Sequence, residues 1–375
     1  MMSDPLQLIA HELRARQLEA LRVESRVAFS GREERMAAAT ATGLGVLAEL
    51  QRENPDAATL IDLLGTLARH DARFAFLDAM PDGPVLSMMR ALALEEAIFG
   101  ELSREVAELS LLMGTFTLLL DGLLDEAPDA LLPIAPWLDR VMREQAWADG
   151  PLPTPPSGMM ESLHPVAALL AIITTTIIQR LTSQPGWNDP VVRAEFGGAS
   201  RAAYQAELSS VELSLAREPD QMIHDRVVEK STTCIWAGSL IPCCVHGWPD
   251  GLDPRAFEAM ARAVGRLGGW VDDIVDVLED VRGDRWSAVL LELDAAARGL
   301  GAPGAPHARM ANAIQSPFVM HHLTTVGAER WRAVEHALKV AGIPADAVLP
   351  AMADMAYACL TVGEPDAATV EEMVL

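Results

Sequence analysis

The sequence predicts an all-α protein, a bundle of about ten or more helices around a central cavity. Three observations carry this. Apolar residues recur at helical spacing almost throughout. No run alternates as a strand would. Proline, glycine and Asx pairs cut the chain into helix-length segments, and none of these repeats another.

The N-terminal segment opens an amphipathic pattern at Leu6, Ile9 and Leu13, continued less cleanly by Leu18 and Leu21. Asn54-Pro55-Asp56 and Pro81-Asp82-Gly83-Pro84 are breaks. Between and after them the periodicity predicts helices over 56–79, 85–125, 136–148, 163–182, 189–216 and 219–246. Further stretches cover 254–282, 285–299, 306–319, 327–341 and 344–361. Asp253-Pro254 is a start signal, with aspartate as N-cap and proline at the first helical position. Gly265, Gly268 and Gly269 then permit close packing or a bend.

At 375 residues and 50% hydrophobic, the chain can bury a large core. The one candidate linker, Asp149 to Gly158, falls between two acidic motifs and reads as an interhelical loop, so residues 1–375 form a single domain. A net charge of −24 argues against nucleic acid or an anionic membrane surface as partner. The four cysteines, Cys234, Cys243, Cys244 and Cys359, lack paired zinc spacing and suit a reduced cytoplasmic protein. No signal segment is expected at Met1-Met2-Ser3-Asp4-Pro5, and the apolar run from Leu169 to Ile178 is too short to span a bilayer.

The densest chemical signal is Gly268 to Asp280, where Asp272, Asp276 and Asp280 recur every four residues. On a helix this stacks three carboxylates on one face, where they repel one another. Ile274, Val275, Val277 and Leu278 flank them. Hard oxygen ligands beside an apolar wall suit a divalent ion, Mg²⁺ first, holding a phosphorylated ligand; the plainer alternative is an acidic stripe facing solvent. Asp121 and Asp125 repeat the spacing at the end of the apolar run from Leu109 to Leu120. Charges there should be paired, metal-bound or at an exposed helix tip. Arg226 and Lys230, also four apart, supply the opposite sign, and Lys230 is one of only two lysines in the chain. They could grip a diphosphate from the side opposite the metal, or form an ordinary pair with Asp225 or Glu229.

These three elements together resemble the class I isoprenoid synthase fold, shared by trans-prenyl diphosphate synthases and class I terpene cyclases. Leu120 to Glu126 is similar to the first aspartate-rich motif, with Gly122 at its second aspartate. Lys230 precedes Asp272 by 42 positions, which looks like the family's spacing from Lys-Thr to the second motif. Asp272-Asp273-Ile274-Val275-Asp276 fits that motif in prenyl synthases. Asp272, Asp276 and Asp280 also fit the cyclases' metal triad, and Arg282-Gly283-Asp284 is similar to the segment after it. Asp276 to Asp280 followed by Arg285 is similar to squalene and phytoene synthases. The resemblance covers roughly residues 90 to 300. It implies a helical bundle binding Mg²⁺, three ions, on Asp121, Asp125, Asp272, Asp276 and Asp280, with Arg226, Lys230 and Arg285 on the diphosphate.

Missing are the Gly-Lys and Arg-Pro segment that holds isopentenyl diphosphate in chain-elongating synthases, and the Arg-Arg-Gly after the first motif. That favours a one-substrate cyclase acting on a C10–C20 allylic diphosphate. The C-terminal Arg-Tyr pair of bacterial cyclases is also missing, since no arginine precedes Tyr357. Two alternatives stay open: a prenyltransferase with a second acceptor, and a non-catalytic partner subunit. Ionising an allylic diphosphate leaves a cation that needs a dry pocket and aromatic faces, each contributing about 0.5–2 kcal/mol. Phe116 and Trp270, with Trp236 behind them, are candidates for that wall, or else ordinary core. By resemblance, a bulky residue at the Phe116 position implies a compact cavity. The family often forms homodimers.

Overall fold

The computed structural model describes residues 5–53, 82–142, 164–210, 221–283 and 286–361. Among them there are helices and no strand. In chain order these are α1 (Pro5–Glu24), α2 (Arg32–Glu53), α3 (Asp82–Phe99), α4 (Arg104–Glu126), α5 (Pro128–Leu131) and α6 (Ala135–Val141). Next come α7 (Pro165–Thr182), α8 (Pro190–Ser210), α9 (Gln221–Ser239), α10 (Ile241–His246) and α11 (Pro254–Gly283). The last are α12 (Ala288–Gly299), α13 (Pro306–Ala313), α14 (Pro317–Ala341) and α15 (Ala345–Leu360).

Most expected helices are present, and the differences have local causes. The stretch 85–125 is two helices, not one. Gly100 turns the chain at φ +72°, and the Ser103 hydroxyl then caps α4 by accepting from the Val106 amide at 3.2 Å. The corner is fastened by Glu95, which accepts from the Ser103 amide at 3.0 Å and meets His246 Nε2 at 2.7 Å. The expected helices 306–319 and 327–341 regroup as α13 and a long α14. Pro317 pushes Ser316 to an extended ψ of 124°, which ends one helix and starts the next. Helix 56–79 and residues 143–148, 211–216 and 285 lie outside the described residues. Asp253 caps α11 as expected, its carboxylate accepting from the Arg255 amide at 3.3 Å.

The thirty-residue α11 is the spine of the bundle. One face buries Phe257, Leu267, Trp270, Ile274 and Val277 against α1, α9, α14 and α15. Burying each of these large side chains contributes about 1.5–3 kcal/mol. The apolar helix α4 packs between α3 and α7. Its polar residues do not spoil that burial: the Thr115 and Thr117 hydroxyls donate to the carbonyls of Leu111 and Met113 at 2.8 and 3.0 Å. Both α4 and α7 are long and apolar enough to cross a membrane, yet most of each such stretch is buried in the bundle. Where α3 meets α4, Gly114 lets the backbones touch; a Cβ there would stand 2.8 Å from Pro84 Cα.

Near the C-terminal side, Asp294 joins α12 to α13. It takes Arg309 Nη2 at 2.5 Å and Arg298 Nε at 2.7 Å, and its side chain is only 2% exposed. Removing the acid strands the nearly buried Arg309, which costs about 3 kcal/mol or more. Asp294→Ala should therefore shift the urea midpoint down markedly. The double change Asp294→Leu with Arg309→Met should recover much of the loss; no recovery would show that the stranded charge is not the source of the loss.

Candidate active site

Between α3, α4, α9, α11 and α15 lies a cavity of about 480 Å³. Three helices bring its charged groups together. Asp121 comes from the end of the apolar run of α4. Lys230 comes from α9, with Cys234 and Gly238 one and two turns further along the same face. Asp272, Asp273, Asp276 and Asp280 come from α11, and the bare backbone of Gly268 and Gly269 leaves room beside them. An apolar chamber adjoins, sharing Met113, Thr117, Glu207 and Cys234 with the cavity. Phe116, Leu120, Ile177, Phe196 and Tyr204 are among its walls.

Lys230 bridges two acids. Its Nζ donates to Asp121 Oδ1 at 2.8 Å and lies 3.7 Å from Glu207 Oε2. Glu207, on α8, is almost buried and accepts from Cys234 Sγ at 3.3 Å. Burial pushes the Glu207 carboxyl up to about 7, against the pull of Lys230. Asp272 is exposed to the cavity, with the surrounding helices crowding it on every other side. That confinement, then the neighbouring Asp276 and Asp121, pushes its carboxyl up to about 7. Asp273 is pushed up to about 8, by burial first and by Asp272 next. It accepts from the Ala288 amide at 2.7 Å, tying the acidic helix to the start of α12.

The expected site residues do not all converge. Asp121, Lys230, Asp272, Asp276 and Asp280 line the cavity, and Phe116 lines the chamber. Arg226 sits one turn before Lys230, partly exposed, and lines neither space. Trp270 lines neither as well. Two residues apart on a helix means roughly 200° around it, so Trp270 and Asp272 face opposite ways. Trp270 is fully buried, donates to Gln17 Oε1 at 3.3 Å and carries the Arg330 guanidinium 4.6 Å from its ring centroid. Trp236 packs under Arg262, 4.8 Å from its ring centroid, and lines neither space. Asp125 lies in the last turn of α4 with its side chain outside the described atoms, and Arg285 lies outside the described residues.

Two charged residues of the cavity escaped the sequence reading. Glu207 carries no periodic signal, because its importance comes from what α9 brings to it. Arg90 was legible as a lone charge in the apolar run from Val85 to Leu94.

The helical fold is similar to that of solved isoprenyl diphosphate synthases. A geranylgeranyl pyrophosphate synthetase from the archaeon Geoglobus acetivorans superposes with a TM-score of 0.50 at 14% identity, covering 88% of this chain and 99% of that one. A polyprenyl synthase from Caulobacter crescentus, complexed with calcium and isoprenyl diphosphate, gives 0.43 at 14% identity over 80% of this chain and 97% of that one. Farnesyl pyrophosphate synthase from T. brucei gives 0.44 at 12%, over 86% and 98%. No protein-family model and no curated protein sequence matches the chain.

The raised carboxyls fix a pH dependence. Folding raises the proton affinity of Glu207, Asp272 and Asp273 above that of an open chain, so the folded state holds more protons between about pH 4 and pH 8. Their contribution to stability is full below the unfolded values and is lost as pH rises through 7 to 8. In chelator, the melting temperature should fall across this window, and the fall should shrink in Asp272→Asn. A flat or rising profile would contradict the crowding of acids described here.

Proposed function

We propose that the chain is a divalent-metal-dependent enzyme that ionises an allylic isoprenoid diphosphate (C10–C20) and cyclises or rearranges the cation, releasing diphosphate. One observation carries this reading: a cavity of about 480 Å³ lined by carboxylates and a lysine adjoins a small apolar chamber of about 40 Å³, with Met113, Thr117, Glu207 and Cys234 common to both. Such a space takes a molecule with a highly charged head and a hydrocarbon tail.

The donor set suits Mg²⁺. Asp121, Asp272, Asp276 and Asp280 are hard oxygen groups on one cavity, and the carboxyl of Asp272 is pushed up by burial first and by Asp276 and Asp121 next, the last two being effects a cation would relieve. Among the described residues no three such side chains converge into a closed cage. That agrees with an ion held by one or two carboxylates together with ligand phosphates. When bound, the metal would neutralise charge on the departing diphosphate. The lysine adds to this: Lys230 has three donors, and its contacts with Asp121 and Glu207 hold Nζ on the wall of the cavity. A donor so placed strengthens its hydrogen bond as the leaving group gains charge. Phe116 and the aliphatic walls of the chamber exclude water from the cation. The chamber's two threonines, Thr117 and Thr174, have their hydroxyls turned back to donate to their own helices.

A second reading is transfer of the cation to another acceptor. Arg90, a buried cation on the cavity wall with no carboxylate partner among the described residues, favours it.

Incubation with Mg²⁺ and geranyl, farnesyl or geranylgeranyl diphosphate, with and without isopentenyl diphosphate, tests both readings. Cyclic or rearranged hydrocarbon from one substrate supports the first; elongated product supports the second. Diphosphate release in neither case, or release unaffected by chelator, defeats both.

Lys230→Ala should raise the barrier by about 2–4 kcal/mol, and Lys230→Arg should rescue only part, because a planar guanidinium does not replace an ammonium. Unchanged turnover in Lys230→Ala would make its pair with Asp121 purely structural.

Asp280→Ala and Asp273→Ala separate ligand from scaffold. Asp273 is bonded to the start of α12, so its loss should lower the melting temperature as well as the rate. Asp280→Ala should lower the rate with less effect on melting. A reversed pattern would move Asp273 into the metal site in place of Asp280.

A further inference from the structure

The α11 helix runs unbroken through Gly268 and Gly269, and its four cavity aspartates all lie beyond that pair. Two adjacent glycines make a soft point in a helix, because they lose the most backbone freedom on folding and bring no side chain to brace the turn. The half beyond them is also under load. Asp272, Asp276 and Asp280 stand one turn apart, and like charges at that spacing weaken a helix.

Two neighbouring helices grip α11 at this point. Arg330 of α14 donates from Nη1 to the Arg266 carbonyl at 3.1 Å, and its guanidinium carbon lies 4.6 Å from the centroid of the Trp270 ring. It therefore holds one residue on each side of the glycine pair. Burial makes its proton easier to lose, and Asp273 and then Glu292 oppose this, so its charge is felt by the acidic half of the helix. From α1, the fully buried Gln17 takes the Trp270 indole N–H on Oε1 at 3.3 Å. Bare Gly327 makes room for that amide; an added Cβ would stand 2.2 Å from its Nε2. Arg14, also on α1, donates to the Val275 carbonyl. None of these side chains lines the cavity or the chamber.

We propose that Arg330 is a positioning residue: it clasps α11 across Gly268 and Gly269 and, with Gln17 and Arg14, sets the angle at which Asp272, Asp276 and Asp280 meet Asp121 around a divalent ion. This rests on the reading of those aspartates given above. The geometry is unforgiving. Asp280 lies about 18 Å along the axis from Gly268 and Asp272 about 6 Å, so a bend of about 5° at the glycines would move them by about 1.6 and 0.5 Å. Metal–oxygen distances tolerate about 0.2 Å, so the ligand set would be pulled apart rather than shifted together.

Titration of Mn²⁺ into the whole chain, followed by loss of the free-ion electron paramagnetic resonance signal, reads metal binding without turnover. Arg330→Met keeps the stem and removes the clasp, and should bind Mn²⁺ about tenfold more weakly, the scale of losing a residue that supports a metal ligand. The Mg²⁺ needed to half-saturate diphosphate release should rise in step, more than kcat falls. Arg330→Lys should recover part, since an ammonium sits over the ring but lacks the planar donors. Gly268→Ala stiffens the joint, and its methyl meets only the end of Met355 at 3.4 Å. Added to Arg330→Met, it should restore most of the lost affinity, a rescue that a merely stabilising arginine would not show. Wild-type affinity in Arg330→Met, or no recovery on adding Gly268→Ala, overturns the proposal. Should Arg330→Met fail to fold, the same rescue is read in Arg330→Lys. If wild type takes up no Mn²⁺, the reading of the aspartates falls instead, and hydrogen exchange decides the clasp. Amides from Val271 to Asp280 should then exchange about tenfold faster in Arg330→Met and return toward wild type with Gly268→Ala; unchanged exchange overturns it.

Discussion

The structure turns on an imbalance of charge around one space. Asp121, Glu207, Asp272, Asp273, Asp276 and Asp280 line the cavity, and Lys230 and Arg90 are the only cations among its described lining residues. In water such a cluster would scatter. Here the carboxylates are fixed on rigid helices whose other faces are packed, so they cannot separate. The folded chain instead keeps some of them protonated, and Lys230 divides itself between two acids. Core packing thus holds the charges in an arrangement that is unfavourable until something cationic joins them. The whole chain has a net charge of −24, and within the cavity Lys230 and Arg90 are the local positive charges set against the acids.

The α11 helix shows how one element serves both purposes. Its buried face, from Phe257 to Val277, is the centre of the core, and its acidic face is the cavity wall. Trp270 belongs to the first and Asp272 to the second. Asp273 joins them by holding the first amide of α12. Strain placed on the acidic face is therefore shared with the packing of the C-terminal helices.

Helical periodicity made the architecture legible, and so did the start of α11 at Asp253-Pro254. The lining of the cavity was legible where chemistry repeats along one helix: the aspartates of α11, and Asp121 where an apolar run ends. Lys230 was legible through scarcity. What could not be read was azimuth and partnership. Sequence nearness placed Trp270 beside Asp272, whereas 100° per residue sends it to the opposite side. Glu207 becomes part of the site only because α8 lies against α9, a tertiary fact with no local signature. The breaks at Gly100–Ser103 and Ser316-Pro317 had visible signals, a turn glycine, a serine cap and a proline, which the strong apolar pattern around them masked.

The contact of Gly114 with Pro84 also decides how such a cavity can change its dimensions over evolutionary time or by engineering. Because Gly114 has no side chain and meets the Pro84 backbone and the Cβ of Ser87 there, little remains to be trimmed at that seam. The opposite boundary, made by Phe116, Ile177, Phe196 and Tyr204, is built of side chains alone. Shortening these would lengthen the chamber without moving a helix. The volume of the chamber can therefore change through side chains of α4, α7 and α8 while the α3–α4 seam stays fixed, so the fold separates the residues that set the chamber's size from those that set the frame.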